Sequence, residues 1–375
     1  MKFTVDRDVL ADAVAWTSRA LPARPPVPVL AGVRITADAT GEVTLASFDY
    51  EVSARGTFAA DVDDAGEVLV SGRLLKEIAN ALPHKPVDFA LEGTKVSVTC
   101  GASRFTLATM PVDQYPALPD LPAQSGTIDG TDFQRAVAQV TVAASRDETL
   151  PILTGVRVEI EGSHISLLAT DRYRLALREM SWKPSASDAS AVALVRARTL
   201  NDTAKALGAG DVTVALSSGT GVDLIGFEAA GLTTTSLLMD GDYPQVRRLF
   251  PDESPVTAVV KTTELIEATR RVSLVAERNS SVRLAFAEGE VTLDAGQSDD
   301  AQASEALECQ LEGDAITVAF NPQYLLDGLG ALSTEYVRLG FTQDTKPVEF
   351  VGLTAPGGEL ASDFRYLLVP IRIQS

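Results

Sequence analysis

Apolar positions recur along this chain in two periods, and the two alternate in a fixed order. Leu10, Val14, Val9, Ala13 and Trp16 fall on one helical face, with Asp6 in front as a capping side chain. Phe133, Val137 and Val140 repeat the spacing after Asp129 or Thr131, and Leu265, Thr269, Val272 and Ala276 repeat it after Thr262 or Thr263. Each of these helices leads into residues that alternate apolar and polar, the pattern of half-buried strands. Glu92-Gly93, Glu161-Gly162 and Glu288-Gly289 mark hairpin turns between them. A second helical stretch follows in each case: Arg73 to Leu82, Arg198 to Leu207 and Tyr324 to Leu332. More strands close each unit.

The order helix, strands, helix, strands therefore occurs three times. The Ala-Leu pairs that close the second helices, Ala81-Leu82, Ala206-Leu207 and Ala331-Leu332, stand 125 residues apart in a chain of 375. Gly32-Val33-Arg34-Ile35, Gly155-Val156-Arg157-Val158 and Ser281-Val282-Arg283-Leu284 keep the same step to within two residues. A period this long is a domain, not a solenoid repeat. Pro-rich linkers follow Tyr115-Pro116 and Tyr243-Pro244. They divide the chain into residues 1–122, 127–252 and 256–375. The expected class is α+β: three copies of one domain, each with two helices packed on β-sheet.

Charge first argues against a nucleic-acid partner. The net value is −19, with 51 acidic against 32 basic residues, and phosphate binding needs local positive charge. A net value does not describe one surface, however. Arg19, Arg24, Arg73, Lys76, Arg198, Lys205, Arg270 and Arg271 lie on or beside the predicted helices. Cys100 and Cys309, in strand-like runs, read as small buried hydrophobes, which suits a reducing cytoplasm. No run approaches 18 apolar residues, so neither a membrane span nor a signal peptide is expected.

Chemistry is sparse. The two histidines, His84 and His164, have no Cys or carboxylate at metal-ligand spacing. Ser218-Gly219-Thr220-Gly221 lacks the Lys-Ser/Thr of a phosphate loop and reads as a hairpin. Asp49 and Asp171 occupy matching places in copies one and two and read as turn residues. No catalytic constellation, metal or cofactor is expected. The rival to a non-enzymatic reading is a repeat-built enzyme or carbohydrate-binding protein, which needs a titratable cluster.

Four segments carry a family resemblance: Thr170-Asp171-Arg172-Tyr173-Arg174-Leu175, Asp242 to Arg248, Phe320-Asn321-Pro322-Gln323-Tyr324-Leu325-Leu326, and Tyr366 to Ile373. With the threefold repeat, the chain resembles the beta subunits of bacterial DNA polymerase III, the sliding clamps, from Met1 to Ile373. The resemblance implies a head-to-tail homodimer, a ring of six domains with helices inside and sheets outside. Twelve helices ~8–10 Å apart enclose a circle ~38 Å across. Removing one helix diameter of ~10 Å leaves roughly 28 Å, enough for duplex DNA and water. Retention is then topological, so loose contacts from a few inward cations suffice on an acidic body.

The resemblance also implies sites. Arg24, Arg73 and Arg198 would face DNA. Leu153, Thr170, Arg172, Tyr173, Arg174, Leu175, Pro244, Arg248, Leu249, Asn321 and Tyr324, with the tail Leu368, Val369, Pro370, Ile371 and Arg372, would form a pocket for short peptides. Through it the replicative polymerase, the clamp loader and repair proteins would dock. Copy one has Tyr50-Glu51-Val52-Ser53 at the place of Arg172 to Leu175, so only copy two carries this chemistry. Lys95, Arg104, Phe105 and Leu107 of copy one would meet Leu274, Asp299, Asp300 and Glu305 of copy three at the dimer seam. Val369 stands where methionine is frequent, and Gln374-Ser375 extend past the usual end. A duplicate clamp tolerant of a pocket-binding inhibitor is the alternative within the family.

Overall fold

The computed structural model describes residues 1–217, 223–276, 281–298 and 301–372. Six α-helices lie among them: α1 (Arg7–Thr17), α2 (Gly72–Ala81), α3 (Gly130–Thr141), α4 (Ala197–Leu207), α5 (Thr262–Val272) and α6 (Pro322–Leu332). All six stand where the apolar periodicity places a helix, within two residues at most ends. Ser218 to Gly221, Asp299, Asp300 and Ile373 to Ser375 lie outside the described residues.

Local chemistry sets the helix ends. The Asp6 carboxylate accepts from the amides of Asp8 and Val9 and caps α1. Asn321 caps α6 in the same way, through the amides of Gln323 and Tyr324, ahead of Pro322 at the first turn. Two expected caps differ. Lys261 occupies the cap of α5 with no side-chain bond, and Thr262 is already helical and buried. α3 begins at Gly130, whose amide bonds the Gly210 carbonyl. A Cβ there would collide with the carbonyls of Gly208 and Gly210, so close backbone approach takes the place of a capping side chain. Val9 is 40% exposed and leaves the apolar face of α1 to Leu10, Ala13, Val14 and Trp16. Arg24 lies in coil beyond the 3-10 turn Ser18–Ala20 rather than ending the helix, and Ala276 lies past α5.

The described chain divides into two compact units. The first comprises Met1–Thr131, Trp182–Ala189 and Asp202–Leu238. Its fourteen described strands form one continuous sheet, in which Leu232–Leu237 of the second repeat pairs antiparallel with Val52–Ala59 of the first. Trp16 of α1 donates to the Thr233 carbonyl at 3.2 Å. The core under α1 and α2 gathers Phe3, Leu10, Val14, Ile35, Leu45, Val70, Leu75, Phe89 and Val98. Cys100 is free and buried in it.

The second unit comprises Asp132–Ser181, Ser190–Asn201 and Met239–Ser375. Its sheet has twelve described strands and repeats the same junction: Arg174–Ser181 pairs antiparallel with Leu360–Leu368. Aromatic rings fill the core below α6, with Phe350 edge-on to both Phe320 and Tyr366. Gly328 lets α6 lie on the Tyr366 ring, where a Cβ would clash. The Tyr366 hydroxyl donates to the Tyr324 carbonyl at 2.9 Å and fixes the helix there.

Candidate functional site

The turn between the strands His164–Thr170 and Arg174–Ser181 organises the site. Asp171 Oδ1 accepts from the amides of Tyr173 and Arg174, both at 3.0 Å, closing an Asx turn. Thr170 Oγ1 donates to the Arg174 carbonyl at 2.6 Å and accepts from the Arg172 amide at 3.1 Å. Below it, the Tyr243 hydroxyl accepts from the Thr170 amide at 3.0 Å. Arg172 pays for this geometry with a left-handed backbone, φ 80°. The equivalent turn of the first repeat is built alike: Asp49 accepts from Glu51 and Val52, and Tyr50 has φ 76°. Both aspartates are therefore turn residues, as their matching places suggested.

Arg174 is buried, with its side chain 5% exposed. Nε bonds Asp171 at 2.9 Å and Nη1 bonds Asp327 at 2.6 Å, while the guanidinium lies 4.3 Å from the centre of the Tyr324 ring. Burial disfavours its charge, but Tyr366, Asp327 and Asp171 outweigh burial and hold it protonated. Gln323 donates to the other Asp327 oxygen at 2.7 Å. Turn, α6 and sheet are thus locked through one cation. Tyr173 stands above it, 55% exposed and stacked on Tyr324 with centroids 6.2 Å apart.

An apolar floor lies on the face of the same sheet that Leu175, Leu177 and Leu367 share. Leu153, Leu168, Leu175, Leu177, Leu194 and Leu367 pack with Tyr243, Val246 and Phe250. Leu150, Ile152 and Met239 are its half-buried margin. Leu367, not Leu368, belongs to this floor, because successive strand residues point to opposite faces; Leu368 is buried outside it. Pro244, Arg248 and Leu249 are exposed beside it. Arg247 is held at 2.7 Å from Glu179 and 3.2 Å from Glu159. The tail is pinned at two points: the Val369 amide donates to the Tyr173 carbonyl at 2.9 Å and the Ile371 amide to Ala319 at 2.7 Å. Val369, Ile371 and Arg372 remain exposed.

Sequence reasoning missed Tyr243, Asp327, Tyr366 and Leu177. Tyr243 lies in one of the four segments that carry the resemblance, and its Tyr-Pro pair recurs at Tyr115-Pro116; burial raises both phenols, Tyr115 to about 12. Asp327 gave no signal, since its partner Arg174 is 153 residues away.

The remaining predicted residues fall elsewhere. Arg73 and Arg198 are exposed at the second positions of α2 and α4, and Arg24 is exposed in its loop. Arg73 also reaches Glu77 at 3.5 Å. The strand Ser103–Met110 pairs with Lys95–Cys100 along one side and with a neighbour on the other only at Thr109 and Met110. Lys95 and Arg104 are exposed there and Phe105 is half-buried, but Leu107 is a core residue, 4% exposed. Leu274 is 85% exposed. Glu305 is already taken by a two-point pair with Arg271, at 2.6 and 2.9 Å, and Arg104 by Glu92 at 3.6 Å. These pairs lie within one chain, whereas the expected charge match of Arg104 and Lys95 with Asp299, Asp300 and Glu305 would run between two chains.

Among the described residues no group of three or more His, Cys, Asp or Glu stands ready to hold a metal, and no helix is long and apolar enough to cross a membrane. Comparison with known proteins covers the whole chain. Residues 1–119, 127–245 and 247–361 match the family models for the N-terminal, central and C-terminal domains of the DNA polymerase III beta subunit. A beta sliding clamp of Streptomyces coelicolor is 55% identical over the full length of both chains. One of Micrococcus luteus is 59% identical over 83% of this chain and all of its own. The DNA polymerase sliding clamp of Bacillus subtilis superposes with a TM-score of 0.91 over all of both chains at 27% identity. The chain belongs to the DNA polymerase III beta subunits, the sliding clamps of bacterial DNA replication.

Proposed function

We propose that two copies of this chain close head to tail into a ring of six repeats around duplex DNA, and that the site around Tyr173 tethers the proteins that work on that DNA. The ring acts by topology and carries out no chemical step. Loose, sequence-independent phosphate contacts come from Arg24, Arg73 and Arg198. The open edge of Ser103–Met110 seeks a strand, since unpaired backbone groups invite one. Ala301–Glu312 offers one: it pairs with Gly289–Ser298 between Ala301 and Cys309, but on its other side only Gln310 to Glu312 pair among the described residues.

One observation carries the tether. Tyr173, Leu249, Val369 and Ile371 are four of the eleven large apolar side chains exposed among the described residues, and the first three each lie within two residues of a member of one apolar floor (Leu175, Phe250 and Leu367), with Ile371 next on the same tail. Such a patch marks a docking site. Its frame is fixed beforehand by Asp171, Arg174 and Asp327, which spares a ligand the cost of ordering it. A short peptide with apolar anchors suits the floor, and its backbone suits the polar rim. The replicative polymerase, the clamp loader and repair proteins would present such peptides.

The test is retention on circular DNA. A clamp loaded on a nicked circle should stay through gel filtration and leave once the circle is cut to a linear form. Equal retention on both forms would sink the ring.

A further inference from the structure

A second hollow lies on the sheet face that carries the apolar floor. Its volume is about 350 Å³, and Arg338, Arg365, Glu349, Ser254, Val351 and Leu360 line it, at the small end of ligand pockets. The strands place it in line with the floor. Leu177 stands opposite Arg365, Arg365 opposite Val351, and Val351 opposite Arg338, so one cross-strand row runs from the floor into the hollow. Phe250, under the Arg365 guanidinium at 4.5 Å, forms the ridge between the two.

The charges in the hollow are unequally matched. Arg365 is engaged: it pairs with the buried Glu349 and donates to the Pro251 carbonyl at 3.2 Å. Arg338 is half-buried, and among the described residues no hydrogen bond or ion pair holds its guanidinium. Asp252 and Glu253 stand exposed at the mouth without reaching it. A half-buried guanidinium with open donors is a fork for a carboxylate, and Val351 and Leu360 cover the stem of a short acidic side chain.

We propose that this hollow takes an acidic residue of the same docking peptide, about four residues from its apolar anchor. The distance follows from the row. Leu177 and Arg338 are three strand spacings apart, ~14 Å at ~4.8 Å each, and extended chain covers ~3.4 Å per residue. The inference rests on the reading of the Tyr173 site as a peptide pocket and adds a specificity-determining residue, Arg338, outside it.

Three short fluorescein-labelled peptides test this against the full chain by anisotropy. All carry two adjacent leucines as anchor. One has Gln four residues to either side; the other two replace one Gln by Glu, before or after the anchor. One Glu peptide should bind about tenfold tighter than the Gln peptide. Arg338→Gln should erase that gain and leave the Gln peptide within twofold, which also shows that the variant is folded. No gain from either Glu, a gain that survives Arg338→Gln, or equal weakening of all three peptides overturns the proposal. A Gln peptide that fails to bind the unaltered chain instead overturns the pocket, and the hollow's role falls with it.

Discussion

Arg174 is a buried cation that holds together the frame of the proposed site. Its two carboxylate partners come from the turn before it and from α6, and its face lies on the ring that Tyr173 stacks against. Arg174→Ala leaves Asp171 and Asp327 facing each other without a cation. Breaking a buried pair of this kind costs about 3 kcal/mol, so the thermal midpoint should fall by several degrees, read by calorimetry. Arg174→Lys should recover little, because a point charge on a flexible stem does not span both carboxylates. A fully stable Lys variant would show that the fork geometry is unimportant. Glu305 makes the opposite case at the surface. Its hydrogen bond from Arg271 holds the carboxyl below its ordinary value near 4.5. A depressed folded value gives stability above pH 4.5 that is lost as the pH falls. Glu305→Gln should therefore lose less thermal stability on acidification than the unaltered chain; parallel losses would refute the pairing.

At the scale of elements, the site is a turn, a helix and a tail held edge to edge. Asp171 builds the turn, Asn321 starts α6, and the amides of Val369 and Ile371 tie the tail to the turn and to the strand Ile316–Phe320 that precedes α6. Truncation before Val369 removes two exposed apolar groups and frees the Tyr173 carbonyl. Polymerase stimulation should vanish while gel filtration still shows the dimer, since the seam residues lie elsewhere. Stimulation that survives truncation would place the tether outside this site. The turn itself is not what distinguishes the second repeat. Tyr50 and Arg172 share the same backbone strain, and what differs is the packing around it. The first repeat has Ser53 and Arg55 where the second has Leu175 and Leu177, and Arg55 turns to the carbonyls of Leu118 and Pro119. A polar pair cannot floor an apolar pocket.

At the scale of the molecule, three sequence repeats become two packing units, because each sheet crosses a repeat boundary. Leu232–Leu237 completes the sheet of the first repeat, and Arg174–Ser181 joins that of the third. The proposed ring then needs only one kind of seam. Leu274, 85% exposed, is the most exposed large apolar side chain among the described residues. Leu274→Asp should shift the chain toward monomer by light scattering at micromolar concentration and leave its thermal midpoint unchanged. An undisturbed dimer would remove Leu274 from the seam.

The sequence alone determined the local and the periodic. Helix periods, the cap at Asp6, the turn residues Asp49 and Asp171, and a 125-residue repeat all depend on residues close in the chain, so they are legible without coordinates. The resemblance of four segments supplied the family and the neighbourhood of the site. Tertiary structure decided what distance along the chain conceals. Arg174 became an internal pin because Asp327 arrives from 153 residues away. Leu367 replaced Leu368 in the floor because strand pairing fixes which face a side chain joins. Leu107 went to the core and Glu305 to Arg271 for the same reason: burial and pairing are settled by neighbours that only the folded sheet brings within reach.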